Sequence, residues 1–192
     1  MQEDYKQIFI EEYQKNIKRR GADKLLMWLQ STDFFTAPAS TRFHAAYEGG
    51  LVQHSVNVYR VLMEKHFEEG KDDPESAAVC ALLHDICKAG FYKIDYRNRK
   101  NESGNWEKVP FYTVSDQLPY GHGEKSVFMI ERFMHLTTAE AMAIRWHMGG
   151  FDESVKGGSF SLANAFAMYP LAVKLHLSDL EATYLRENRG AD

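Results

Sequence analysis

The feature that most constrains this sequence is an apolar run that ends in two ionisable residues. Residues 77–83 read AAVCALL, and His84 and Asp85 follow directly. Such a run belongs in a protein interior, where burying a charge without a partner is energetically expensive. The His-Asp pair therefore has three interpretations: the capped end of a helix, a hydrogen-bonded couple in the core, or half of a metal site.

Hydrophobic periodicity predicts a mainly α fold with one β-hairpin. Apolar residues recur at helical spacing along most of the chain, whereas apolar and charged residues alternate after Gly90, with a turn at NESGN (101–105). We expect a helical bundle with a hairpin inserted at about 91–115 and a Gly/Ser-rich loop at 149–161. The predicted helices cover 3–20, 22–31, 51–68, Pro74 to Gly90, 123–135, 138–148 and 170–187.

Length and composition favour a single domain. A chain of 192 residues with 44% apolar content can bury one substantial core. We expect residues 1–40 to form N-terminal helices that pack on a core formed by residues 41–187. Cys80 and Cys87 are seven residues apart, which is about 10 Å along a helix and too far for a disulfide, so they are predicted to be reduced core thiols.

Charge and hydropathy limit the partners. The net charge of −4 disfavours long nucleic acid and anionic membranes. No apolar run is long enough for a signal peptide or a membrane span, so a cytoplasmic location is the default expectation.

Histidine and aspartate residues recur on or beside five of the predicted helices. Their nitrogen and oxygen atoms are the ligands that divalent first-row metals favour, and a helical bundle can direct several of them at one point in its core. The candidate ligands are His54, His84, Asp85, His122, His147 and Asp179.

In these residues and their surroundings the sequence resembles the HD superfamily of metal-dependent phosphohydrolases. The resemblance spans residues 40–185, and its order of ligands is a histidine, a His-Asp pair and a distant aspartate. The motifs that carry it are GGLVQHS (49–55), LLHDICK (82–88), YGHGEKS (120–126), IRWHMGG (144–150) and LHLSDLEA (175–182).

The resemblance implies an HD-domain helical bundle with one or two divalent ions (Mn, Fe, Co, Ni, Mg or Zn). Subfamilies with two metals add two histidines between the His-Asp pair and the final aspartate. By this analogy Asp85 bridges the ions, because its two oxygens can serve both at a separation of roughly 3.5–4 Å. One ion would take His54, His84, Asp85 and Asp179, and the other would take Asp85, His122 and His147.

The implied reaction is cleavage of a small phosphate ester by metal-activated hydroxide, with a nucleotide-like phosphomonoester or diester as the substrate. Asp85 and Lys88 are the predicted catalytic residues, since a lysine after the His-Asp pair contacts the substrate in di-metal relatives. Arg42, His44 and Lys125 are predicted to bind the substrate. The alternatives are that Lys88 stabilises a helix C terminus and that Arg42 and His44 are ordinary loop residues.

Two other functions remain open for the same ligands. Mixed-valent di-iron oxygenases on this fold use a very similar set, and a non-catalytic HD module would sense a nucleotide or a metal. The cyclic-dinucleotide phosphodiesterases of the superfamily are disfavoured, because HMGGFDESVKGG (147–158) lacks their GYP signature. Exoribonucleases of the superfamily carry an added nucleic-acid-binding domain, and none is visible in this sequence.

Two further features have weaker interpretations. The predicted hairpin carries a group of basic and aromatic residues that fits either a nucleotide-binding patch or a solvated hairpin tip. His176 shares a helix face with Asp179 and is predicted to orient a metal ligand. The residues of the hairpin group are Tyr92, Tyr96, Arg97, Arg99, Lys100 and Trp106.

Overall fold

The computed structural model describes residues 3–187 and confirms the predicted fold class, a helical protein with one antiparallel hairpin. Single π turns extend two of the helices, at Leu62–His66 and Ala182–Arg186. In chain order the elements are α1 (Tyr5–Asn16), α2 (Ala22–Gln30), α3 (Gly50–Val61), α4 (Pro74–Leu83), β1 (Tyr92–Lys100), β2 (Trp106–Val114), α5 (His122–Glu131), α6 (Thr138–Trp146), α7 (Glu153–Lys156), α8 (Ser161–Met168) and α9 (Pro170–Glu181).

The apolar run of the sequence forms α4, which is the central helix of the bundle. Every residue from Ala77 to Leu83 is 1% exposed or less, and α4 packs against α1, α3, α6 and α9. A helix that is apolar on all sides is stable when other helices surround it. The end of this helix therefore lies inside the protein, and the His-Asp pair with it.

The N-terminal helices pack on the same core. In α1 the side chains of Phe9 and Tyr13 are buried against α3 and α4, and Leu25 and Leu29 of α2 join them in the core. The Tyr13 hydroxyl donates a hydrogen bond of 2.8 Å to the backbone carbonyl of Ala22. The boundary at residue 40 and the single domain over 1–192 stay predictions.

Several predicted helices end earlier than their periodicity indicated, among them the one predicted over 123–135, which ends at Glu131. The first stops at Asn16 rather than at residue 20, because the Glu75 carboxylate accepts hydrogen bonds from the backbone N–H groups of Lys18 and Arg19. The fourth stops at Leu83 rather than at Gly90, and a 3-10 turn covers Ile86–Lys88. The ionisable pair thus lies where the helix breaks.

The predicted loop at 149–161 contains helical structure that the sequence analysis missed. A 3-10 turn covers Gly149–Phe151, α7 covers Glu153–Lys156, and α8 begins at Ser161. The Asp152 carboxylate caps α7 by accepting from the backbone N–H of Ser154 at 2.9 Å. Arg145 of α6 donates to Asp152 at 2.8 Å, so an ion pair fixes the start of this short helix.

The hairpin stands at the side of the bundle, with Tyr92 opposite Val114 at its base and Lys100 opposite Trp106 near its tip. The Tyr92 hydroxyl ties the base to the preceding loop by donating to the Ala39 carbonyl at 3.2 Å. Near the tip, the Lys100 ammonium lies 5.3 Å from the centre of the Trp106 ring. Nucleotide binding by this hairpin stays a prediction.

Two adjacent glycines set the path of the chain into α3, the helix that carries His54. Gly49 has a φ of +78°, in the left-handed region. A Cβ on Gly50 would lie 1.9 Å from the carbonyl oxygen of Ala45. That oxygen accepts a hydrogen bond from the N–H of Ala39 at 3.0 Å, so it is not free to move away.

We predict that Gly50→Ala lowers the free energy of unfolding by about 1–3 kcal/mol, because the added methyl group overpacks a rigid backbone contact. Urea unfolding followed by circular dichroism measures the change. Gly150→Ala is the matched control, since a Cβ there has no neighbour within 4 Å. An unchanged unfolding midpoint for Gly50→Ala would contradict the close approach of Gly50 to the Ala45 carbonyl oxygen.

Candidate metal centre

The six predicted ligands come together at one point inside the bundle. His84 and Asp85 lie at the end of α4, and both are almost fully buried. The other four reach them from α3, the start of α5, the end of α6 and the middle of α9. They are His54, His122, His147 and Asp179, in that order.

One group of donors surrounds the Nε2 atom of His54. His84 Nε2 and Asp179 Oδ1 both lie 3.2 Å from it. Asp85 Oδ2 lies 3.6 Å from His54 Nε2 and 3.5 Å from His84 Nε2. Two donors bound to one ion at about 2.1 Å each lie roughly 3–3.5 Å apart, so this spacing fits a shared metal ion.

A second group lies on the other oxygen of Asp85. His122 Nε2 is 2.8 Å from Asp85 Oδ1, and His147 Nε2 is 3.6 Å from it. The carboxylate thus turns Oδ2 to one group of ligands and Oδ1 to the other. A bridging carboxylate between two ions has this orientation.

The ring orientations of His84 and His147 make their Nε2 atoms available to a metal. His84 Nδ1 lies 2.9 Å from the carbonyl oxygen of Ala81, and His147 Nδ1 lies 2.6 Å from that of Ile144. A carbonyl oxygen only accepts, so each Nδ1 must donate and each Nε2 of the neutral ring holds a lone pair. Burial also lowers the pKa of His84, which keeps its ring neutral.

Glu187 is a buried partner of this centre that the sequence analysis missed. His54 Nδ1 donates to Glu187 Oε1 at 3.0 Å, and the Asn57 side-chain amide donates to the same oxygen at 3.1 Å. Burial alone would lower the pKa of His54, but the charge of Glu187 and the hydrogen bond to Asp179 outweigh it and raise the pKa to about 10. The residue follows the π turn at the end of α9, and no motif marks it in the sequence.

Lys88 forms a close ion pair with Asp85, the residue expected to bridge two metal ions. Its ammonium nitrogen lies 2.6 Å from Asp85 Oδ2, although the continuous helix expected between the two residues is absent. Burial lowers the pKa of Lys88, but the Asp85 charge outweighs it, and the pKa rises. The pKa of Asp85 lies well below its usual range, since burial opposes ionisation but the charges of Lys88 and His84 favour it.

Cys87 lies beside the His122 ring of the second group, within 3.9 Å of both ring nitrogens. Its sulfur lies 3.4 Å from His122 Nδ1, whereas His122 Nε2 faces Asp85. Burial raises the pKa of Cys87 to about 12. Since the thiolate is the form that binds metals, we interpret the thiol as a hydrogen-bond partner of His122.

The three predicted substrate-binding residues have different positions. The His44 ring lies 4.9 Å from the His54 ring, and burial together with His54 lowers its pKa to about 4. Among the described residues its Nε2 has no hydrogen-bond partner. Lys125 is buried and paired with Asp116. Arg42 lies outside the centre, over the Phe43 ring and against a separate depression of about 310 Å³.

His176 supports the centre indirectly. Its Nδ1 donates to the backbone carbonyl of His147 at 2.6 Å, and its ring lies 5.5 Å from that of Phe166. The contact holds the end of α6, where His147 lies, against α9. Its predicted role in orienting a ligand stays a prediction.

The chemistry of the donor set fits a divalent cation. Asp85 and Glu187 are buried carboxylates and Asp179 is half-buried, and burial keeps the pKa values of His84 and His122 low. The raised pKa of His54 indicates that the surrounding field favours positive charge. Neutral imidazoles and carboxylates are ligands for Mn, Fe, Co, Ni and Zn ions, so the residues present fit one or two such ions.

We predict that Glu187→Gln weakens metal binding by about 10–100-fold, the usual cost of losing a carboxylate behind a histidine ligand. Competition with a chelating dye measures the dissociation constant. Glu181→Gln is the matched control, because Glu181 also faces a histidine, His66, at 3.2 Å but near the protein surface. Equal affinities in the two variants would contradict a role for Glu187 in the metal centre.

Comparisons with known proteins give the family of the chain. No curated protein and no solved structure matches the chain. Residues 3–187 contain no helix with the length and hydrophobicity that crossing a membrane requires. The family model of the HD domain matches residues 51–182, well over half of the sequence, and this range includes all six residues of the candidate metal centre. The chain therefore belongs to the HD domain family.

Proposed function

We propose that this protein is a metal-dependent phosphohydrolase that cleaves a small, nucleotide-like phosphate ester. HD domains are mostly metal-dependent hydrolases, which supports hydrolysis as the class of reaction. The observation that carries the proposal is the orientation of Asp85, whose two oxygens face two groups of ligands. A carboxylate in this orientation can serve two ions about 3.5–4 Å apart, the separation found in two-metal hydrolytic sites.

The ligands divide into two sets that share Asp85. A bound divalent ion would lower the pKa of a bound water molecule and polarise a phosphoryl oxygen of the substrate. His84 and His147 present lone pairs to the ions because backbone carbonyls hold their Nδ1–H groups. The first ion would be held by His54, His84, Asp85 and Asp179, and the second by Asp85, His122 and His147.

Lys88 has the position and charge to contact the substrate. It lines the cavity above the ligands, which has a volume of about 600 Å³. Its ion pair with Asp85 keeps the ammonium protonated. A charged ammonium can donate a hydrogen bond to a phosphoryl or leaving oxygen on which negative charge develops.

The cavity suits a small substrate with a flat apolar part. Its volume lies within the usual range for small-molecule sites. Phe43, Phe91, Tyr92 and Phe151 line it together with the ligands. Aromatic side chains stack on nucleobases, so a nucleotide fits these walls.

A cytoplasmic location stays a prediction.

We predict that the protein with Mn²⁺, Co²⁺, Ni²⁺ or Fe²⁺ releases phosphate from a nucleotide and that Asp85→Asn lowers kcat/KM at least about 100-fold. Loss of a group behind a ligand already costs 10–100-fold, so loss of the shared ligand costs at least as much. Phosphate release over a panel of nucleotides and sugar phosphates measures the activity. Asp95→Asn, on the exposed hairpin, is the control.

Two experimental results would assign the protein a different function. Oxygen consumption by protein with two bound irons, without phosphate release, would identify an oxygenase. Tight nucleotide binding without any turnover would identify a sensing module. Full phosphate release by Asp85→Asn would contradict the bridging role while leaving hydrolysis in place.

We predict that His122→Ala halves the number of bound metal ions and leaves the fold intact. The change removes one ligand of the second group, whereas the donors around His54 stay in place. Metal analysis after gel filtration measures the stoichiometry, and circular dichroism checks the fold. His135→Ala serves as the control because its side chain is 97% exposed. An unchanged stoichiometry would contradict the second ion.

A further inference from the structure

Two cavities meet at the metal centre. The larger, of about 600 Å³, covers His54, Asp85 and Asp179, and the smaller, of about 470 Å³, lies on the side of Cys87 and Lys125. Six residues line both cavities and so form the boundary between them, which we call the neck. The neck residues are Lys88, Phe91, His122, Met148, Phe151 and Lys156.

The lysines of the two cavities differ in their ion pairs. Lys88 is paired with Asp85, and Lys125 is buried and paired with Asp116. Within residues 3–187, Lys156 forms no ion pair, and its side chain is exposed. It is therefore the cavity lysine whose charge no carboxylate of the described chain neutralises.

The backbone that carries Lys156 is tied to α6, the helix that precedes His147. Lys156 is the last residue of α7, and Arg145 of α6 donates to Asp152 at 2.8 Å and to the Ser154 hydroxyl at 3.0 Å. Arg145 also pairs with Glu124 of α5. These contacts of Arg145 therefore hold α7, α6 and α5 together, and they fix the backbone that carries Lys156 relative to His122 and His147.

We propose that Lys156 binds the phosphoryl group of the substrate at the neck, with the organic part of the substrate in the larger, aromatic-lined cavity. The proposal rests on the proposed function, because it assumes a phosphate ester at the metal centre. Because Lys88 is already paired with Asp85, among the described residues only the positive charge of Lys156 is left at the neck, and it suffices for a single phosphoryl group. The preferred substrate is then a monophosphate ester rather than a triphosphate, which would bring two more phosphate groups without further free lysines to meet them.

Lys156→Gln tests the binding role in the full-length, metal-loaded protein. We expect about tenfold weaker binding of inorganic phosphate, measured by calorimetry, since a hydrogen bond to a charged group is lost. With a hydrolysed nucleotide, the loss should fall on KM more than on kcat. Lys156→Arg should restore most of the binding, and the metal content should not change. Lys93→Gln is the matched control, because Lys93 is exposed on the hairpin and lines neither cavity.

Each outcome has a distinct meaning. Equal phosphate affinity in the wild type and Lys156→Gln would overturn the proposal, as would a wild type that binds no phosphate. If the wild type binds phosphate through Lys156 but hydrolyses no ester, the proposed function fails while the phosphate contact stands. A higher kcat/KM for a nucleoside triphosphate than for the monophosphate would overturn the single-phosphate inference.

Discussion

The structure depends on one buried carboxylate, that of Asp85. A charge at the end of an apolar helix costs free energy unless positive or hydrogen-bonding groups surround it. Lys88 meets one oxygen at 2.6 Å, and His122 meets the other at 2.8 Å. Three more imidazoles complete the surroundings. The bundle can therefore be understood as a scaffold that brings partners from α3, α5 and α6 to the carboxylate at the end of α4.

The break in the central helix is what makes this arrangement possible. Had α4 continued to Gly90, Asp85 would project from the side of a helix instead of from its end. The helix stops at Leu83, and the turn at Ile86–Lys88 brings the Lys88 ammonium back onto Asp85. Apolar packing around α4 then excludes water from one side of the pair, and the ligands cover the other.

The sequence predicted those residues of the candidate site that lie within recognisable local sequence motifs. His54, His84 and Asp179 lie on or beside predicted helices, and residue type together with the resemblance to the HD superfamily grouped them as candidate ligands of one ion. Glu187 and Lys156 carry no such mark, since one follows a π turn and the other ends a short helix in a Gly/Ser-rich segment. Glu187 meets His54 across 133 residues of the chain, and the role proposed for Lys156 depends on the cavities that it lines, so sequence spacing reveals neither.

Backbone carbonyls lie behind the rings of His84 and His147, whereas His54 and His122 have side-chain partners that differ, and this distinguishes the two proposed ion positions. The Glu187 carboxylate accepts from Nδ1 of His54, whereas the partner of His122 is the Cys87 thiol, which lies beside the ring. An anionic partner raises the basicity of a ligand more than a neutral thiol does. The His54 group is also more deeply buried, since part of the His122 side chain is exposed. The position around His54 should therefore hold its ion more tightly, and the position at the neck, beside His122, should exchange its ion more readily.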